Sequence, residues 1–251
     1  MRAQICRVLI AGRRVALERT ARRRALGRAR RATPRILFIV TYGRSGSTLL
    51  QGILNAIPGY LIRGENRWAL YDLYRFHDKC VRARAAQFSA GRLLGPEHPW
   101  FGADDFPVDA SLIHLRRLVT DTILRPGRRT RVCGFKEIMW ASGDYAEFVD
   151  PGYIDFLLAL FPDARFLINT RDLADTARSG WWPRRENAAE TLRMADAQVR
   201  DLAARLGGRA FHVHYDDYVR DIETLRPLFA WLGEPFDAER LRAVLDVRHS
   251  S

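Results

Sequence analysis

Apolar residues run unbroken from Ile36 to Val40, with Thr41 and Tyr42 behind them. They return after a small-residue gap at Leu49, Leu50, Ile53, Leu54 and Ile57. The first set shows no alternation and is rich in β-branched and aromatic side chains, which predicts a strand buried on both faces, as in a parallel sheet. The second set has the three-to-four spacing of an amphipathic helix. Pro58-Gly59-Tyr60 reads as a turn, and Arg63-Gly64-Glu65-Asn66 leads into a helix over 67–87. Residues 91–108 hold three prolines and three glycines together with Trp100, Phe101 and Phe106, and read as a loop long enough to cover a site. Further patterns predict a helix over 112–124, a strand over 131–135 and a helix over 153–161. They also predict a strand over 164–170, a helix carrying Arg178 and Ser179, a helix over 188–206 and a strand over 210–215. Short helices surround Gly233-Glu234-Pro235. Strands alternating with helices imply an α/β fold, a parallel central sheet flanked by helices, with ligands at the carboxyl ends of the strands.

The gap between the first strand and helix is Gly43-Arg44-Ser45-Gly46-Ser47-Thr48. Strand, glycine loop and helix together aim backbone N–H groups and the positive helix end at an anion. Ser47 and Thr48 are expected to cap the helix and to offer hydroxyls to an anionic ligand. The loop lacks the lysine of the usual triphosphate-binding motif, and its glycines are three apart rather than five. A second pattern follows in Phe166-Leu-Ile-Asn-Thr-Arg171-Asp172, with Ser179 eight residues past Arg171. Arg171 leaves a strand end with a planar donor fork suited to a phosphate, and Ser179 adds a hydroxyl.

Charge changes the picture less than its size suggests. The formal net charge is +12, but residues 1–35 hold twelve arginines and one acid, Glu18. The rest of the chain carries 29 basic and 28 acidic residues. The basicity therefore belongs to an arginine-rich leader, residues 1–35, ahead of a domain spanning 36–251, and no specific nucleic-acid partner is expected. The leader reads as a weakly ordered helix, a peripheral contact with anionic lipid, or a transit-type segment. No run of eighteen apolar residues occurs, and no secretory signal is recognised. Three scattered cysteines, Cys6, Cys80 and Cys133, suggest a reducing compartment, a cytoplasmic location and no metal site. Lys79 and Lys136 are the two lysines of the chain, and Lys136 stands just past the strand over 131–135.

The segment Thr41 to Leu50 resembles the loop of PAPS-dependent sulfotransferases that holds the 5′-phosphosulfate of 3′-phosphoadenosine 5′-phosphosulfate, PAPS. Arg171 with Ser179 resembles the 3′-phosphate motif of that family. The likeness spans residues 35–247 and implies a P-loop NTPase-like sulfotransferase fold. It implies PAPS as co-substrate, no metal, and transfer of the sulfuryl group to an acceptor hydroxyl or amine on a glycan, glycolipid or small metabolite. By the same resemblance Gly43, Arg44, Ser45, Gly46, Ser47, Thr48, Arg171, Ser179 and Tyr215 bind the donor, Tyr215 near the adenine. Arg44 and Lys136 supply cations to the reaction, and Glu65 is the candidate general base, with Glu137, His77 and His114 as rivals. The position two past Lys136, a histidine in cytosolic members, is Ile138 here. A glycine-and-lysine segment near the C-terminus of those members has no counterpart. Tyr60, Trp68, Tyr71, Tyr74, Trp100, Trp181 and Trp182 are candidate acceptor surfaces or core residues. The competing readings are a nucleotide kinase or NTPase, a non-catalytic PAPS binder and a basic nucleic-acid-binding protein.

Overall fold

The computed structural model describes residues 33–87, 93–138, 140 and 151–245. Nearly all of the arginine-rich leader therefore lies outside the described residues. Five parallel strands form one sheet: β1 (Arg35–Val40), β2 (Tyr60–Arg63), β3 (Val132–Glu137), β4 (Arg165–Thr170) and β5 (Ala210–His214). Their order is β2-β3-β1-β4-β5. β1 sits in the middle, with Ile39 opposite Lys136 on one side and Leu167 on the other.

The unbroken apolar run of β1 follows from helices on both faces. Ile36, Phe38 and Val40 point into one core. That core is closed by α2 (Ala69–Gln87), α3 (Val108–Leu118), α4 (Pro151–Leu160) and α6 (Ala188–Leu206). Leu37 and Ile39 point into a second core, closed by α1 (Ser47–Asn55), α7 (Tyr215–Arg220), α8 (Arg226–Leu232) and α9 (Ala238–Leu245). Phe38 touches Phe135, Phe161 and Phe166 with centroids 4.8–6.2 Å apart. Truncating such a ring costs about 3–5 kcal/mol. Between α1 and α2 the chain runs to the far edge of the sheet. From β4, by contrast, it passes through α5 (Leu173–Ala177) and α6 to β5 on the other edge. The crevice between the ends of β1 and β4 is thus the switch point where ligands bind in such sheets.

Several elements differ from the sequence expectation. Tyr60–Arg63 is an edge strand, not a turn leading to a helix. Four residues are too few to show alternation, and part of its outer edge is satisfied locally. The Asn55 side chain accepts from Ile62 N (2.7 Å) and donates to Ile62 O (2.9 Å), standing in for a neighbouring strand. Lys136 lies within β3 rather than beyond it. α1 begins at Ser47, and its N-cap is Gly46 at φ 79, so neither Ser47 nor Thr48 caps it with a side chain. α5 stops at Ala177, and Ser179 lies in the turn that follows, before Gly180 at φ +61. α3 begins four residues earlier than its pattern and passes into a π-helical turn, Val119–Leu124, which Arg125 ends at φ 46. α6 spans 188–206 as its pattern predicts.

Candidate active site

A cavity of about 370 Å³ opens at the carboxyl ends of the central strands. Arg44, Gly46, Ser47 and Thr48 line it from the loop after β1 and the start of α1. Lys136 and Ile138 reach it from β3, Glu65 from the segment after β2, Arg171 from β4 and Tyr215 from the start of α7. Eight of the predicted site residues therefore meet in one space, joined by Leu49, Trp181, Val219 and Leu245. Gly43, Ser45 and Ser179 stand behind its wall.

The loop owes its shape to side chains from β4, from the turn after α5 and from α7. Ser45 is fully buried. Its hydroxyl lies 2.5 Å from Thr41 Oγ1, and its carbonyl accepts from Asn169 Nδ2 at 2.8 Å. Its side chain thus braces the loop, whereas the sequence reading gave it to the ligand. Asn169 is itself fully buried, and its Oδ1 accepts from the Tyr218 hydroxyl at 3.0 Å. Burial pushes the Tyr218 hydroxyl well above the ordinary tyrosine range, so it remains a donor. Gly43 meets the Trp181 indole at 2.4 Å from where a Cβ would stand, and its carbonyl accepts from Trp182 Nε1 at 2.9 Å. Gly46 meets Tyr215 at 1.9 Å from such a Cβ. Both glycines are thus required by close approach, and Gly46 also by its left-handed backbone at φ 79.

Arg171 is held on three sides. Its backbone N–H donates to the Tyr42 hydroxyl at 3.0 Å. That hydroxyl in turn lies 3.1 Å from Asp196 Oδ1, which also accepts at Oδ2 from Arg200 Nε at 2.7 Å. Arg171 Nη1 donates to the Arg44 carbonyl at 3.1 Å, and the guanidinium carbon lies 4.7 Å from the Tyr215 ring centroid. Arg171 Nε is buried without a hydrogen-bond partner among the described residues. A buried charged donor left in this state is costly unless a ligand meets it. Arg44 Nε donates to Ser179 Oγ at 3.1 Å, which brings the two predicted motifs into contact.

On the β3 side, Lys136 Nζ donates to Glu65 Oε1 at 2.5 Å. The Lys136 side chain is 7% exposed and that of Glu65 39%. Glu65 is therefore paired with Lys136, not with Arg63 or Arg67. Among the described residues its Oε2 makes no hydrogen bond, and Glu65 lines the cavity. Glu137, next along the strand, is buried, and its Oε2 accepts the Asn66 N–H at 3.2 Å. Its Oε1 accepts from Ile138 N at 2.9 Å. One oxygen thus meets the backbone beside Glu65 and the other the end of its own strand, and Glu137 does not line the cavity. His77 is buried on α2, 2.8 Å from Ser111 Oγ and packed against Phe106 and Phe156, and burial lowers its pKa. His114 is exposed on α3. Neither histidine reaches the cavity. No described atom lies within 4 Å of where a Gly64 Cβ would stand, so close packing does not require that glycine.

Of the seven aromatics, Tyr60, Tyr74 and Trp182 belong to the core, Trp68 and Tyr71 pack at a tilt in a cluster beside it, and Trp181 lines the cavity. Trp100 is exposed, and the described part of its loop, residues 93–107, contributes no wall to the cavity. The sequence reading missed the roles of Tyr42, Asn169 and Asp196. The signal available for the first two was a polar group at the end of an otherwise apolar, fully buried strand, where it needs a partner. Among the described residues no group of three histidines, cysteines or acids stands ready to hold a metal, and no helix is long and apolar enough to cross a membrane.

Two arginines, a buried lysine and a helix N-terminus facing one cavity suit a polyanion, and a single carboxylate beside the lysine suits a proton acceptor. The model of the sulfotransferase family matches residues 34–238. The sulfotransferase domain of the Synechococcus PCC 7002 olefin synthase superposes with a TM-score of 0.52 at 22% identity, over 88% of this chain and 80% of that domain. STF9 from Mycobacterium avium superposes at 0.43 and 18%, over 85% and 67%. Mouse SULT7A1, solved in complex with PAP, superposes at 0.44 and 14%, over 85% and 63%. No curated protein matches in sequence. The fold is that of the olefin synthase domain, and as the family match runs from just before β1 to the first residue of α9, the chain belongs to the sulfotransferase family.

Proposed function

We propose that the chain transfers a sulfuryl group from PAPS to an acceptor hydroxyl or amine on a glycan, glycolipid or small metabolite. The observation that carries the choice of donor is Arg171. Its Nε is buried and unpaired, its backbone is fixed by Tyr42, and Ser179 lies on the adjoining turn beside Arg44. This fits a phosphate on the ribose of the donor. The helix N-terminus after Gly46, with Ser47 and Thr48, fits the 5′ end, and Tyr215 and Trp181 supply aromatic walls.

PAPS supplies a sulfuryl group on an activated mixed anhydride. In its transfer the acceptor oxygen gains the bond to sulfur, the bridging S–O bond breaks with its electron pair on the phosphate oxygen, and the acceptor proton is removed. Lys136 sets positive charge at the β3 end of the cavity, where negative charge builds on the transferred group. Glu65 takes the proton through Oε2 while Oε1 stays on Lys136. Ile138 and Leu49 add apolar side chains to the cavity wall.

Calorimetry with the full chain tests the donor. Adenosine 3′,5′-bisphosphate should bind at least tenfold more tightly than ATP, and radiolabelled PAPS should label one class among glycans, glycolipids and phenols. ATP binding as tightly as the bisphosphate would refute the reading.

A further inference from the structure

The last two residues of β3 grip the segment after β2 with their side chains. β2 and β3 pair as strands as far as Arg63 opposite Phe135. Past that register Lys136 Nζ donates to Glu65 Oε1 at 2.5 Å. The next residue on each side is joined in the opposite sense, Asn66 N donating to Glu137 Oε2 at 3.2 Å. The backbone so held is not relaxed: Arg67 and Trp68 are both left-handed, at φ 53 and 65, a conformation that residues other than glycine disfavour. Packing does little to fix it, since the Glu65 side chain is 39% exposed and open space surrounds Gly64. Glu137 is by contrast firmly set. It is buried, its Oε1 accepts from Ile138 N at 2.9 Å, and its carbonyl accepts from Trp140 Nε1 at 2.8 Å. Tyr153 of α4 lies close enough that its hydroxyl, raised well above the ordinary tyrosine range first by burial, is raised further by the charge of Glu137.

We infer that Glu137 is a positioning residue for the proton acceptor: by fastening Asn66 to the end of β3 it sets Glu65 against Lys136. The inference rests on the transfer proposed above. Glu137 does not line the cavity and acts through Glu65. A carboxylate suits the task because it offers one oxygen to each of two N–H groups, Ile138 on its own strand and Asn66 on the segment it holds.

The test is a double-mutant cycle on the full chain, with radiolabelled PAPS and the acceptor labelled in the panel above. Glu137→Asp keeps the charge but draws the carboxylate back by one methylene, and Glu137→Met removes both acceptors at similar volume. Each should lower turnover about tenfold or more and change affinity for adenosine 3′,5′-bisphosphate less than about threefold. In the Glu65→Gln background each should lower turnover less than about twofold, because the group being positioned is already gone. A second readout needs no acceptor. Protein carrying ¹³C-lysine gives signals from Lys79 and Lys136 alone, and Lys79→Arg identifies the second. Glu137→Asp should move the Lys136 Cε resonance toward its position in Glu65→Gln, and should leave it in place in that background. Turnover that falls equally in both backgrounds, or bisphosphate affinity that falls alongside it, would show a general structural role and overturn the inference. Unchanged turnover in both Glu137 variants would overturn it as well. A panel that takes no label would count against the transfer itself, and the lysine resonance would still decide whether Glu137 sets the pair.

Discussion

Replacing Gly46 by alanine tests the central contact of the donor loop. Gly46 caps α1 at φ 79, and a Cβ there would stand 1.9 Å from Tyr215 Cδ2 and 2.2 Å from Cε2. No carbon pair tolerates such distances, so the ring must leave. An alanine in the left-handed region costs about 1–2 kcal/mol. Displacing Tyr215 breaks its edge-on contact with Tyr218, at 5.6 Å, worth about 0.5–1.5 kcal/mol. It also removes the ring beneath Arg171, worth about 0.5–1 kcal/mol. Gly46→Ala should therefore lower unfolding stability by about 2–4 kcal/mol and weaken adenosine 3′,5′-bisphosphate at least tenfold. Urea unfolding and calorimetry measure the two. The decisive arm is the cycle with Tyr215→Ala. Once the ring is gone, Gly46→Ala should cost the backbone term alone, so the two substitutions should couple by at least about 1 kcal/mol. An equal cost of Gly46→Ala in both backgrounds would refute the contact.

Three further outcomes follow from single groups. Glu65→Gln keeps shape and a hydrogen bond but cannot take the acceptor proton, so turnover should fall by roughly 10²–10⁴ with donor affinity nearly unchanged; wild-type turnover would move the base elsewhere. Tyr42→Phe leaves the Arg171 N–H without its acceptor and should cost about 1–3 kcal/mol in unfolding stability along with several-fold weaker bisphosphate binding; a change in stability alone would detach Tyr42 from the site. Glu234 accepts from Arg131 at 2.9 and 3.0 Å, and those bonds lower its pKa from the usual 4.5. A lowered carboxylate stabilises above its unfolded pKa and loses that contribution as pH falls through the folded value. The wild-type protein should thus exceed Glu234→Gln by about 1–2 kcal/mol at pH 7, and the gap should begin to close as pH falls below about 4.3; a gap that does not narrow with falling pH would contradict the assignment.

The sequence was legible where one physical signal dominated. β1, β4 and α6 are buried on both faces or strictly periodic, and their patterns located them within a residue or two. β2 was missed because its stability comes from pairing with β3 and from the Asn55 side chain, neither of which leaves a pattern in four residues. The start of α1 was misread for a related reason: Ser47 has the composition of a cap, but Gly46 takes that position because Tyr215, 169 residues later, leaves room for nothing larger. Arg171 and Ser179 were singled out by their spacing. What spacing did not carry was direction: Ser45 turns inward to Thr41 and Asn169, while Arg44 reaches across to Ser179. Glu65 and Lys136 were named separately, and only the register that places β3 between β1 and β2 makes them a pair.

That register also separates two kinds of work. On the β4 side the loop is moored by Asn169, by Arg171 and through Tyr215, all of which are packed before any ligand arrives. Binding there loses little entropy in ordering the protein, so losses on this side should be read chiefly as affinity. On the β3 side a single ion pair, Lys136 with Glu65, faces the cavity, held from behind by the Glu137 carboxylate on the Asn66 N–H. In the proposed transfer its charges act where charge and a proton move, so losses there should be read chiefly as turnover. β1 divides the two, because strands on its opposite sides contribute to opposite ends of one cavity. A substitution on the β4 side that left affinity intact but abolished turnover would contradict this division, whatever the donor proved to be.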